Sequence, residues 1–221
     1  LEFFKLMEKM GLKAETSAPV CAETEREKIT VTDSPVLSDS ATIYCQDGEY
    51  AVVSGENVFK CDYDTIKELY NNPNIEKSVY DYKNIYKENP EIKNVVFDAM
   101  LAGYICNPAA SSYAPDRLFA EYGATLPEIV GEADTLTQNA CKFFDVCKKL
   151  KLELEKTNQL SLFETIELPL AKVLGDMELV GFKVDSLGLK NMSDELAVRI
   201  DKISEEIFSL VGYEFNLNSP K

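Results

Sequence analysis

At 221 residues the chain suits one domain of ordinary size with an appendage, or two small domains. Hydrophobic residues make up 45% of it, enough for a sizeable core, but no run of eighteen apolar residues offers a membrane span. Thirty-eight acidic against 23 basic residues give a net charge of −15, which repels phosphate backbones at long range and speaks against a stand-alone nucleic-acid binder.

In chain order, Leu1 to Met10 reads as a short helix end stopped by Gly11. It is amphipathic and carries acid and base alike, so it is no secretory signal, and a start in mid-protein is expected. From Lys13 to Lys28 the composition is that of a linker. Ile29 to Thr32 alternates like a strand. Ala41–Cys45 and Tyr50–Val53 flank Gln46-Asp47-Gly48-Glu49, and Asp-Gly between β-formers signals a hairpin. Asp64 is expected to cap a helix running through Tyr70 and ending at Asn71-Asn72-Pro73. Glu76–Tyr80 reads as a strand, followed by a helical turn through Tyr86.

Val95-Val96-Phe97 is expected to enter a helix with Met100, Leu101, Tyr104 and Ile105 on its apolar side, stopped by Asn107-Pro108. Pro115 suits the first position of a helix over Asp116–Tyr122 that ends at Gly123. A long helix is predicted from Glu132 to about Glu155, with Leu136, Ala140, Phe143, Cys147, Leu150 and Leu154 at helical steps. Its lysines, Lys142, Lys148, Lys149, Lys151 and Lys156, are interleaved with Asp145, Glu153 and Glu155 and read as a solvated face. Ile166, Leu170, Val173, Leu174 and Met177 form one apolar stripe. After a break at Gly181–Asp185, Met192, Leu196, Ile200, Ile203, Ile207 and Leu210 form a second, capped by Gly212. Ordinary core packing is the expectation for both.

Six cysteines (Cys21, Cys45, Cys61, Cys106, Cys141 and Cys147) contain no Cys-x-x-Cys pair, and the chain has no histidine. That removes the usual zinc sites, a Cys–His nucleophile and a Ser–His triad together. Cys141 and Cys147 lie too far apart along one helix to bridge easily. Reduced, mostly buried thiols in a cytoplasmic protein are expected.

Phe163-Glu164-Thr165-Ile166-Glu167-Leu168-Pro169-Leu170, then Met177-Glu178-Leu179-Val180-Gly181-Phe182-Lys183-Val184-Asp185, resembles the entry to the polymerase domain of bacterial DNA polymerase I, the family A polymerases. Phe215-Asn216-Leu217-Asn218-Ser219-Pro220-Lys221 is similar to the segment that leads to the family's thumb. Upstream, Phe97-Asp98 through Asn107-Pro108 resembles a segment of its 3′–5′ exonuclease-like domain, and Leu1–Met10 the junction after its 5′-nuclease. The resemblance implies an α/β chain. It places an N-terminal helix end and linker at 1–28. A ribonuclease-H-like 3′–5′ exonuclease fold, a mixed sheet flanked by helices, follows at 29–160. The opening helical pair of a truncated polymerase domain fills 161–221.

Exonucleases of this kind use two divalent metals about 3.5–4 Å apart, held by hard carboxylate oxygens. The family supplies Asp-x-Glu on its first strand, an Asp after an Asn-x-x-Tyr segment, and a Tyr-x-x-x-Asp on a late helix. Here no candidate first strand carries Asp-x-Glu: Asp33 ends Ile29–Thr32, and Asp47 with Glu49 belongs to the hairpin turn. Ile85 stands at the second aspartate position, with Asp81 one turn earlier as a helix cap. Asp134 and Gln138 stand at the third motif's Tyr and Asp positions. The resemblance therefore implies no catalytic, cofactor or metal residue and no cofactor for this span, with Mg²⁺ serving only the parent polymerase. DNA is expected to be held by the full-length enzyme and weakly or not at all by this span, with no membrane partner and self-association through the terminal helices. The alternative is an active exonuclease with displaced carboxylates such as Asp98, Asp134 or Asp145.

Overall fold

The computed structural model describes residues 27–217. The expected helix end at 1–10, its stop at Gly11, nearly all of the linker, and the last four residues of the tail motif lie outside the described residues. The chain divides into two compact units, Leu1–Glu178 and Leu179–Lys221.

The first unit is built on one seven-stranded mixed sheet of order β6-β5-β2-β3-β4-β1-β7. Its centre is the meander β2 (Ser40–Gln46), β3 (Glu49–Ser54) and β4 (Asn57–Cys61), antiparallel throughout. The β2–β3 turn is the expected hairpin, with Gln46 paired to Glu49. Asp47 and Gly48 both have positive φ, 54° and 82°, as a type I′ turn requires. Beyond β2 the strands β5 (Glu76–Val79) and β6 (Val95–Asp98) run parallel, and at the other edge β1 (Lys28–Val31) lies parallel to β4 and to β7 (Glu128–Val130). In β2 all of Ala41–Tyr44 are buried, so both faces of this strand are covered.

Helices flank the sheet. α1 (Tyr63–Asn71) buries Ile66, Leu69 and Tyr70, and α2 (Tyr82–Glu88) buries Tyr82 and Tyr86. α3 (Ala99–Cys106) and α4 (Pro115–Glu121) lead to α5 (Thr135–Lys156), which packs on the central strands and on α3. All six apolar residues predicted for α5 are buried. α6 (Leu160–Leu162), a π turn (Phe163–Glu167) and α7 (Leu168–Val180) follow without a break.

Several expectations are corrected. Asp62, not Asp64, caps α1, because its carboxylate accepts from the Thr65 amide at 2.9 Å. Val95–Phe97 is a strand, its parallel pairing with β5 outweighing the helical start read from sequence. In α3 the buried residues are Ala99, Ala102 and Gly103, while Tyr104 is exposed. A Cβ at Gly103 would come within 2.8 Å of Leu118 Cδ2, so close approach rather than bulk defines that face. The long helix begins at Thr135, capped by Asp134. Of the five described cysteines, all free, only Cys141 and Cys147 are buried.

The stripe Ile166, Leu170, Val173, Leu174 and Met177 is exposed, Met177 by 64%. The buried residues there are Phe163, Leu168, Ala171 and Gly175. The π turn inserts an extra residue between Phe163 and Leu168, which rotates the buried face off the predicted one. Within the second unit, α8 (Ser186–Val211) is capped by the Asp185 carboxylate, a cap not read from the sequence, and ends at Gly212 (φ 85°), as expected. None of its residues is buried, so its stripe is not core either. No helix among the described residues is long and apolar enough to cross a membrane.

Candidate functional site

The strand that opens the central meander is β2, and its sequence, Ser-Ala-Thr-Ile-Tyr-Cys-Gln, contains no acid. The C-terminal half of this strand and the later part of α2 border one cavity of about 130 Å³. β2 supplies Ile43, Tyr44 and Cys45, and α2 supplies Ile85 and Glu88. Tyr63 and Tyr70 come from α1, Tyr50 from β3, and Tyr80 from the turn after β5. β2 and the Ile85 position, separated by forty residues in sequence, thus meet in space. What surrounds them is isoleucine and phenol with a single carboxylate, Glu88.

The phenols of the lining stay neutral. Burial, then the Cys45 thiol, pushes the Tyr50 phenol up to about 12. Burial foremost raises Tyr44, Tyr70 and Tyr80 as well.

The displaced acids do not converge on this cavity. Asp98 has no exposed surface and caps α3, accepting from the Met100 and Leu101 amides at 2.8 and 3.4 Å. It also accepts from the amides of Asp81 and Tyr82, at 3.1 and 2.8 Å, and so ties the starts of α2 and α3 together. Burial raises its carboxyl to about 6 against the pull of these four amides. Asp81, in the left-handed region at φ 61°, caps α2 through the Asn84 amide, as read from sequence.

Asp134 caps α5 through Thr137 and pairs with Lys60 at 2.8 Å, and these bonds hold its carboxyl near 2. Gln138 donates to the Ala133 carbonyl at 3.0 Å. Asp145 accepts from Thr125 and pairs with Lys149 at 2.8 Å. Asp47, Glu49 and Asp134 do border one shallow depression of about 260 Å³. Even so, among the described residues no three His, Cys, Asp or Glu side chains are grouped closely enough to hold a metal ion.

The lysine-rich face of α5 is largely neutralised. Lys148 pairs with Glu27 at 2.7 Å, Lys149 with Asp145, and Lys156 with Glu153 at 3.4 Å. The cavity tyrosines were not legible as a site, since they come from four elements and share no spacing. Lys77 was missed as well. Fully buried on β5, it donates from Nζ to the carbonyls of Asn72, Ile75 and Lys93 at 2.6, 2.8 and 2.8 Å. Burial pulls its ammonium down to about 8.

Residues 31–127 match the family model described as DNA polymerase I, ribonuclease H-like domain. The chain is similar to DNA polymerase I of Bacillus subtilis (strain 168), 32% identical over 262 residues that take in 100% of this chain and 29% of that protein. DNA polymerase I of Geobacillus stearothermophilus is 33% identical over 147 residues, covering 59% of this chain and 17% of that protein. This chain therefore spans less than a third of the length of either relative. A solved structure described as the POL domain of Pol1 from M. smegmatis, in complex with DNA primer-template and dNTP, shares the fold. Its TM-score is 0.63 at 23% identity, over 81% of this chain and 35% of that one.

Proposed function

The chain belongs to the bacterial DNA polymerase I family, and we propose that its exonuclease-like domain, residues 29–160, is catalytically silent and braces the polymerase domain whose opening helices fill 161–221. The observation that carries this reading is the cavity beside β2. Ile85, at the position of the family's second aspartate, lines it beside β2, which carries no acid, and the one carboxylate on that wall, Glu88, stands alone. At the third aspartate position, Gln138 is an amide. Isoleucine cannot ligate a metal and a neutral amide is a poor replacement for a hard anionic oxygen, so these residues do not fit a two-metal site. No hydrolytic step is derived for them.

In this reading the parent enzyme performs template-directed DNA synthesis in replication and repair with Mg²⁺, and holds DNA through segments outside this span. The net charge of −15 accords with weak or no DNA binding by the span itself. The exposed stripe on α7 and the unburied face of α8 are contact surfaces, and in the isolated chain a second copy competes for them.

Incubation of stoichiometric protein with 3′-labelled single-stranded DNA and Mn²⁺ tests the central point. No trimming is expected. Metal-dependent 3′-end trimming that disappears in Asp134→Asn would overturn silence and favour an exonuclease using the depression bordered by Asp47, Glu49 and Asp134. Sedimentation at several concentrations tests self-association, which is expected to weaken when Leu196 and Ile200 become serine.

A further inference from the structure

We propose that the tyrosine-lined cavity between β2, α1 and α2 is a binding site for a small alkylammonium ion, with a head group the size of trimethylammonium. Five tyrosines line it: Tyr44, Tyr50, Tyr63, Tyr70 and Tyr80. Among the described residues the only formally charged one on its wall is Glu88, and no lysine or arginine lines it. Aromatic rings present a negative face, and several of them around one space, with a carboxylate beside them, are the chemistry that holds an organic cation.

A second observation is independent of the charge. Tyr70 is only 5% exposed, yet no hydrogen bond to its hydroxyl is formed among the described residues. Buried hydroxyls are ordinarily partnered, and one left without a partner on a residue that lines a cavity makes that space polar and available to a guest. Its volume of about 130 Å³ is close to the roughly 150 Å³ of a protein cavity that takes up benzene. One compact head group fits, and a nucleotide with its sugar and phosphate does not.

Charge selects among guests of that size. Glu88 contributes to the rise of both Tyr50 and Tyr70, so its field reaches into the cavity. An anion is repelled there, and by the −15 of the whole chain. A bare divalent metal finds one carboxylate and neutral phenols, too few hard anionic oxygens to replace its water. A methylated or N–H-bearing ammonium keeps its charge against the aromatic lining and gives the Tyr70 oxygen a neighbour.

The inference goes beyond catalytic silence and is tested apart from it, because binding is measured without DNA or metal. Calorimetry on the 221-residue chain compares choline with 3,3-dimethylbutan-1-ol, which has the same shape and no charge, against a sodium chloride control. Choline is expected to bind saturably and about tenfold more tightly than the neutral alcohol. Glu88→Gln, at the exposed mouth, is expected to weaken choline about fivefold and leave the alcohol unchanged. Ile85→Trp should fill the space and abolish both. If that variant does not fold, Tyr63→Ala, which removes an exposed ring at the mouth, should weaken choline while leaving circular dichroism intact. Equal affinities, tighter binding of the alcohol, or no saturable heat with choline would each overturn the assignment.

Discussion

Two helices of this chain carry nearly the same sequence pattern and meet opposite fates. α5 and α8 both repeat apolar residues at three- and four-residue steps. α5 buries nine residues against the central strands and α3, whereas α8 buries none. The pattern therefore specifies an amphipathic helix but not the partner for its apolar face. The energetic consequence is large. Phe143, Leu150 and Leu154 are fully buried. Phe143→Ala is expected to cost about 3–5 kcal/mol, as the ring's transfer energy and the cavity it leaves add together. Urea melts followed by circular dichroism measure it, and a cost under about 1 kcal/mol would dissolve the contrast between the two helices.

Two buried charges sharpen the same contrast, because only the sheet-based unit has an interior that can hold them. Lys77→Met keeps the volume but strands three carbonyls that now share one ammonium, and is expected to cost about 2–4 kcal/mol. Asp98→Asn keeps one acceptor oxygen but removes the charge and turns an NH2 toward an amide that the other oxygen accepts from, with an expected cost of about 2 kcal/mol at pH 7.

The pH profile gives the Asp98 test a second readout. Its folded carboxyl is raised to about 6 from the ordinary 3.8. Between those values the native state takes up a proton that the unfolded state does not, so this residue's contribution to stability grows as pH falls from 6 toward 4 and is constant above 6. The gap between wild type and Asp98→Asn should widen by up to about 1.4 kcal/mol per pH unit in that window and stay flat above it. A gap that narrows on acidification would reverse the assigned cause.

How much was legible follows from how local each signal was. The Asp47-Gly48 hairpin, the Asp81 cap, the Gly212 stop and the α5 face all rest on residues a few positions apart, and each was readable. β4 and β7 are short strands fixed by partners elsewhere in the sheet, β3 and β1 for the first and β1 for the second, so the sequence reading passes over both. The face of α7 was misassigned for a different reason: a single extra residue in the π turn rotates everything after Phe163. At the cavity, the absence of an acid from β2 and the presence of Ile85 were both readable. Their convergence with phenols from α1 and β3 was not, since no spacing along the chain encodes it.

A glycine in α7 sets a closer limit on that misassignment. A Cβ at Gly175 would lie 2.7 Å from Tyr86 Cδ1, on a ring that is itself 95% buried and whose hydroxyl donates to Asp176 at 2.6 Å. The tyrosine cannot simply swing away. Gly175→Ala is expected to lose about 1–2 kcal/mol despite its better helix propensity.

The smallest expected effect completes the comparison. Ile200→Ser lies on the α8 stripe, 60% exposed, where the isoleucine has no packed interior to lose. Its serine variant is expected to change the unfolding free energy by less than about 0.5 kcal/mol in a urea melt. The same substitution should change the concentration dependence of sedimentation, because an exposed apolar stripe acts on association rather than on folding. A loss as large as that of Phe143→Ala would mean that α8 is packed in solution and that its stripe belongs to a core after all. An unchanged melt with weakened association would show that two equal patterns divide their work, one holding the fold and the other held out for a partner.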